Sequence, residues 1–396
     1  MTAMADGSTR TPRVALYRNP RARGIFFQAL FVLAVLWAGY EVIANARGNL
    51  AAQRIATGFG FLDQPAGFDV SQSLIDYHPS DSYRRLFFVG LLNTLLVSAF
   101  GILFATILGF AIGIARLSGN WLVSRLAGGY VELIRNLPLL FQLLFWYLAV
   151  LGTLPPPRAS VSIFGEILLS NRGIAVPRAI FGAGTEYVLA AFAAGLLAAF
   201  GLRRWARRRQ AATGRPFPLW PAAMALIIGL PLAAMIVMGF PIAFEAPRLV
   251  GFNFAGGTRV TPEFAALLLG LVIYTAAFIA ETVRGGILAV SRGQSEAAYA
   301  LGLRRGLALR LVVIPQALRV IIPPLTSHYL NLTKNSSLAV AIGYPDLIGV
   351  FAGTALNQTG QAIEILGLTM ATYLALSLVT SALMNFYNAR VRLVER

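Results

Sequence analysis

The chain has 396 residues, of which 57% are hydrophobic and 12% charged, with no cysteine and two histidines. That balance excludes an ordinary soluble domain and a disulfide or thiolate framework, and it leaves almost no material for a histidine metal site or a Ser-His-Asp triad. The formal net charge of +17 comes from arginines that flank apolar runs instead of lining one face among aromatics, which speaks for membrane topology and against nucleic acid.

Residues 1–24 form a polar tail carrying Arg10, Arg13, Arg18, Arg21 and Arg23, the mark of a cytoplasmic segment. Residues 25–44 read as a first transmembrane helix. Ala44-Asn45-Ala46 looks like a signal-peptide cleavage site, but the apolar stretch exceeds the roughly 7–15 residues of a signal core, so an uncleaved anchor is expected. Residues 45–85 hold Asp63, Asp69, Asp76 and Asp81 among glycines and prolines and fit an outer, periplasmic loop. From Leu86 a long apolar run carries Gly101, Gly109 and Gly113, where neighbouring helices could approach closely, and ends at Arg116 on the inner side. A third span is entered through Glu132 and Arg135, which are three apart on a helix and able to pair, then Pro138, Gln142 and the aromatic run Phe145-Trp146-Tyr147.

Residues 153–261 open on Pro155-Pro156-Pro157 and contain two more spans, near 187–202 and 219–240. Between these lie Arg203, Arg204, Arg207, Arg208 and Arg209, an inner flank by charge. In residues 262–391 a span from Glu263 to Arg284 carries Glu281 three residues before Arg284. The next passage, from Ala317 to Gly343, is expected to kink at Pro323-Pro324. It bears Ser327, His328, Asn331, Lys334 and Asn335, polar groups that inside a membrane face protein or water and point to a solute path. For Lys334 an ion pair that merely fixes packing is an equal alternative. A last span runs from Ile363 to Tyr387, and residues 392–396 form a tail. The sum is eight spans with both ends cytoplasmic.

Residues 285–316 between two of these spans are polar and basic. Gln294 to Gly302 predicts a short helix outside the bilayer, with Ser295 as N-cap, Glu296 in its first turn and Gly302 as a left-handed stop. Ala297 and Ala300 share one small face that another protein could approach. By local pattern alone, an ordinary loop of good helix formers fits better.

The order Glu296-Ala297-Ala298, three residues, Gly302, and then Pro315 thirteen further on resembles the EAA loop of ABC importer permeases. The run Tyr130-x-Glu132-x-x-Arg135, then Pro138-Leu139-Leu140-x-Gln142, resembles the polar amino-acid, histidine/glutamine branch of that family, as does Lys334-Asn335-Ser336-Ser337-Leu338. Family members commonly place Gly-Thr where Asn136 and Leu137 stand. The likeness covers residues 86–152 and 262–391, the two parts of a five-span core, with 153–261 as an insertion. This enlarged layout is similar to that of the larger permease subunit of general L-amino-acid ABC transporters.

The resemblance implies an all-α, polytopic inner-membrane protein with the type I ABC importer permease fold and about eight transmembrane helices. It implies coupling to an ATPase through Glu296, Ala297, Ala298 and Gly302, and a substrate path among Glu132, Arg135, Gln142, Asn331 and Lys334. The partners implied are an ABC ATPase dimer, a second related permease in a heterodimer, a periplasmic amino-acid-binding protein and membrane lipid. Lys334, the only lysine, follows Asn331-Leu332-Thr333 and so cannot close a Walker A loop; ATP and Mg are expected on the partner ATPase, with no cofactor and no catalysis in this chain. The alternative is an ion- or proton-coupled secondary transporter with Glu132, Glu281 and Lys334 as relay groups. An intramembrane enzyme lacks any recognisable acid/base constellation.

Overall fold

A computed structural model describes residues 20–52 and 57–391. The tail arginines Arg10, Arg13, Arg18, Arg392 and Arg396 lie outside the described residues. Helix α1 (Pro20–Ala52) contains the first apolar span, Arg23–Asn45, none of it buried against the rest of the chain.

The loop expected after it is folded down as a plug. Phe61 and Ala66 are buried and pack with Tyr83, Leu86 and Phe351 in a small apolar cluster of their own. Polar bonds pin the plug further along. The amide of Asn93 donates to the carbonyls of Gln72 and Pro345, both at 2.9 Å, and the Gln72 side chain accepts from the Thr261 hydroxyl at 3.2 Å.

Helix α2 (Tyr83–Arg116) starts at Ser82, whose hydroxyl accepts from the Arg85 amide. Helix α3 (Trp121–Asn136) is capped by Asn120, which accepts from the Leu122 and Val123 amides. The span expected here is bent. Helix α4 (Leu139–Leu144), continued by a π-helical segment Phe145–Leu151, leaves α3 at 107°. Pro138 supplies no N–H and drives Leu137 into an extended conformation, φ −101° and ψ 132°, so the helix must stop there. Counted as one broken span, this pair brings the seven apolar helices long enough to cross a membrane to the expected eight.

The insertion forms a hairpin of helices on a β base. Strands β1 (Val161–Ile163), β2 (Ile167–Ser170), β3 (Gly173–Val176) and β4 (Arg178–Phe181) lead into α5 (Thr185–Thr213) and α6 (Leu219–Val237). Strands β5 (Ile242–Glu245), β6 (Arg248–Val250), β7 (Asn253–Ala255) and β8 (Thr258–Val260) lead back. All pairs are antiparallel: β1 with β2, β2 with β3, β3 with β8, β4 with β5, and β6 with β7. The loops read as irregular thus add a minor β element to a helical fold. Helices α5 and α6 approach at Gly195, where a Cβ would stand 2.6 Å from the Leu226 carbonyl oxygen.

Helix α7 (Pro262–Leu288) begins with Pro at its first position and Thr261 as N-cap, accepting from the Phe264 amide. It runs parallel to α2 along the glycine row. A Cβ on Gly109 would lie 2.6 Å from Ile279, and one on Gly113 would lie 2.7 Å from the Ala280 carbonyl oxygen. The expectation that these glycines permit close packing holds. After α8 (Arg292–Ala300), α9 (Arg305–Ala308) and a π-helical segment Leu309–Val313, helix α10 (Ile314–Asn335) runs through Pro323 and Pro324 without interruption. A 3-10 turn Ser336–Ile342, a π-helical segment Ile348–Ala355 and α11 (Leu356–Thr359) precede α12 (Ala362–Val391). The main core gathers Leu143, Leu267, Leu271, Ile279, Ile321 and Leu332 from α4, α7, α10 and their neighbours.

Asp346, fully buried between the last two spans, receives the Gly349 amide at 2.8 Å and the Tyr373 hydroxyl at 3.4 Å. Burial pushes its carboxyl up to about 7, against the hydrogen bonds that pull it down. A raised folded-state value means that the native protein holds a proton the unfolded chain releases, so the associated stability is complete below 3.8, the value of the carboxyl in the unfolded chain, and is lost as pH rises through about 7. The thermal midpoint of the purified chain is expected to fall between about pH 5 and pH 8. Asp346→Asn, which keeps an acceptor for Gly349, is expected to flatten that slope.

Candidate functional site

The projecting helix α8 starts four residues earlier than expected. Ser291 is its N-cap residue, and Ser295 lies inside it, which moves Glu296 from the first turn to the middle. Its end is as expected: Gly302 has φ +76°, its N–H donates to the Tyr299 carbonyl at 2.9 Å, and the Leu303 N–H donates to the Ala298 carbonyl at 3.1 Å. That pair of bonds is a Schellman stop. Ala298 is buried, and the Gln316 amide ties α10 to Gln294 at 3.1 Å. Glu296, Ala297 and Ala300 are exposed, together with Tyr299 at 48% and Leu301 at 83%. A small helix held by one alanine thus presents a carboxylate beside an apolar edge.

Above α8, Glu281 on α7 joins two arginines. Arg284, three residues on, meets it at 2.6 Å, and Arg116 at the end of α2 pairs with it from 165 residues away. The node ties the ends of the two parallel helices nearest the projecting segment. Beside it Arg116, Arg125, Glu132 and Arg284 line a recess of about 400 Å³.

Deeper in the bundle lies a second recess, of about 310 Å³, between α7 and α10. Tyr274, Thr275 and Phe278 line one side, and His328, Asn331 and Asn335 the other. The Thr282 hydroxyl and His328 Nε2 are 2.9 Å apart, and the Arg135 guanidinium sits over the Phe278 ring, 5.1 Å from its centroid. The wall offers amide, hydroxyl, imidazole and aromatic groups, a mixture suited to a small polar solute.

A family model described as "Binding-protein-dependent transport system inner membrane component" matches residues 219–393. Along its full length the chain is 53% identical over 395 residues to the General L-amino acid transport system permease protein AapQ of Rhizobium johnstonii, covering 98% of that protein. The chain belongs to the amino-acid ABC transporter permeases. This permease is also 53% identical to the Putative amino-acid ABC transporter permease protein YhdX of Escherichia coli, over 96% of this chain and 97% of that one. It is 43% identical to the Glutamate/glutamine/aspartate/asparagine transport system permease protein BztB of Rhodobacter capsulatus, over 96% of each. It is a multi-pass, mostly helical inner-membrane protein with the type I importer permease fold.

The five residues expected along a substrate path do not converge in the permease. Asn331 lines the α7–α10 recess, and Arg135 reaches its Phe278 wall. Glu132 lines the arginine recess instead, and the expected Glu132–Arg135 ion pair does not form: the four ion pairs among the described residues include neither. Arg135 prefers the aromatic face, where a cation keeps favourable electrostatics without desolvating a carboxylate.

Gln142 is buried in the bend. Its amide donates to the Ile134 and Leu137 carbonyls, both at 3.0 Å, which replaces backbone bonds that the break at Pro138 removes. Lys334 lines another groove, with Ile348, Met370 and Tyr373, and forms none of those ion pairs, so the packing ion pair considered for it is absent among the described residues. The residues that sequence reading missed are Tyr274 and Thr275, concealed in an apolar run, and the exposed pair Tyr299 and Leu301. An apolar residue directly before a glycine stop in a polar segment was the available signal for Leu301.

Proposed function

We propose that this permease is the membrane subunit of an ATP-driven importer of L-amino acids, worked through α8 by a separate ATPase dimer that holds ATP and Mg. It pairs with a second, related permease and takes solute from a periplasmic binding protein. The observation that carries the reading is α8 itself: a nine-residue helix ended by a Schellman stop, with Glu296, Ala297 and Leu301 turned out of the bundle. The full-length likeness to a relative named for general L-amino acid transport supports the solute class.

In this reading α8, the ion-pair node and the arginines of α5 face the cytoplasm, and the β base and plug face outward. The parallel run of α2 and α7 and the arginine-rich flanks support that orientation. Closure of the ATPase carries α8 with it, and the Arg116–Glu281–Arg284 node passes the displacement to α2 and α7. A solute or loaded binding protein shifts the resulting inward–outward equilibrium only through different affinity for the two states. The relay that a proton-coupled transporter would need gains no support, because Glu281 is held between two arginines and Lys334 lines a separate groove.

Purification in mild detergent is expected to bring down a nucleotide-hydrolysing subunit and a second permease in stoichiometric amounts. Uptake by the purified chain alone, driven by a proton or sodium gradient, would overturn the proposal.

A further inference from the structure

A recess of about 420 Å³ opens where the β base of the insertion meets the ends of α7 and the π-helical segment, and it falls within the roughly 300–1,000 Å³ range of small-ligand clefts. Its lining combines Arg172 and Arg259 from the β base with Glu263 and Tyr147 from the helical core, and Asn171 at the edge.

Charges of both signs surround this space without neutralising one another. The four ion pairs among the described residues include none of Arg172, Arg259 or Glu263. Among the described residues Glu263 accepts only a hydrogen bond from the Tyr147 hydroxyl, at 3.1 Å. Arg172 makes one long contact, 3.4 Å, to the Phe252 carbonyl.

The two halves are held in register by a contact that only glycine allows. Gly173, next to Arg172, has φ +113°, and a Cβ there would collide with the Val260 carbonyl and lie 3.2 Å from the Pro262 ring. The backbone that carries Arg172 therefore lies against the residue that starts α7, one position before Glu263. The Asn171 amide donates to the Pro155 carbonyl at 3.0 Å and fixes the other side of the turn.

We propose that this recess binds a zwitterion bearing a carboxylate and a primary ammonium group, namely a free L-amino acid, as a subsite on the β-capped face distinct from the α7–α10 recess. Arg172 and Arg259 take the carboxylate through charge-assisted hydrogen bonds, and Glu263, oriented by Tyr147, takes the ammonium. A simple anion, or a carboxylate on a docked protein, would be drawn by the arginines but repelled by Glu263; a zwitterion satisfies both signs. A phosphatidylethanolamine headgroup offers the same pairing of anion and ammonium, and the test below separates the two sources. The inference rests on the proposed role in amino-acid import, and it gives the insertion a part in capturing solute outside the main passage.

The test is equilibrium binding of radiolabelled L-glutamine to the full-length chain in nanodiscs, one set of phosphatidylglycerol alone and one containing phosphatidylethanolamine. Binding in both sets is expected, weakened about tenfold by Arg259→Gln and by Glu263→Gln. N-acetyl-L-glutamine, which lacks the ammonium, is expected to compete poorly against the wild type and as well as L-glutamine against Glu263→Gln. Equal binding by wild type and both variants, or loss of L-glutamine binding whenever phosphatidylethanolamine is present, would overturn the assignment. A variant that does not elute as a monodisperse species is replaced by Arg172→Gln, which lies in an exposed turn. ATP-driven uptake by the assembled transporter is measured alongside. Failure of that uptake with binding intact counts against the import role alone, and intact uptake with no variant effect on binding counts against this site alone.

Discussion

Replacing Glu296 with lysine is expected to reduce solute-stimulated ATP hydrolysis and uptake at least about tenfold in the assembled transporter, while the permease still inserts and purifies normally. Glu296 is exposed and forms none of the ion pairs among the described residues, so its reversal removes nothing that holds the bundle together. Substitutions of that kind usually change stability by only about 0.5 kcal/mol. A large functional loss therefore has to arise where α8 meets another protein, where an inverted charge costs far more than a missing one. Glu296→Gln is expected to fall between wild type and lysine. Leu301→Asp should weaken the same contact from its apolar side, because a residue 83% exposed contributes almost nothing to the permease's own core. Wild-type coupling in both Glu296→Lys and Leu301→Asp would remove α8 from the mechanism.

The second large effect concerns the seam between α2 and α7. Gly113→Leu is expected to abolish recovery of monodisperse protein, and Gly109→Leu to do nearly the same. No space for a side chain exists there: even a Cβ at Gly113 would stand 2.8 Å from Val283 and 2.7 Å from the Ala280 carbonyl oxygen. Overpacking of a formed core costs about 1–3 kcal/mol per site and more where backbone is struck. Gly128 on α3 is the control, since a Cβ there meets nothing within 4 Å. Gly128→Ala is expected to leave the thermal midpoint unchanged or slightly raised, alanine being the better helix former by about 1 kcal/mol. Equal yields for Gly113→Leu and Gly128→Ala would mean that α2 and α7 do not pack side by side as described.

The features legible in the sequence are those whose cause is local or periodic. Apolar runs announced the spans, glycines spaced along one of them announced a close helix contact without naming its partner, and Gly302 announced the end of α8 because a left-handed stop needs no distant partner. The start of α8 was misplaced by four residues because two serines stood near it and local chemistry does not rank them. Pro138 was visible, yet the bend at it was not foreseen: whether a proline merely ends a turn or redirects the chain by 107° depends on what packs on either side. Arg116 could not be joined to Glu281 by any rule of spacing, nor Thr275 to Asn331. The β base escaped notice because strands of three or four residues leave no periodic trace.

Gly152 and Pro262, the residues where the core chain departs and returns, line one and the same recess. Between them β3 pairs with β8, and β4 with β5, in ladders whose strands stand roughly 5 Å apart. The helical core thus sees an entry and an exit that are already side by side, zipped before the two added membrane crossings begin. Lengthening, shortening or exchanging what lies past Phe181 and Ile242 leaves that gap as it is. The excursion is a cassette spliced into a closed joint, its two added crossings hung from a base that the strand pairs already close.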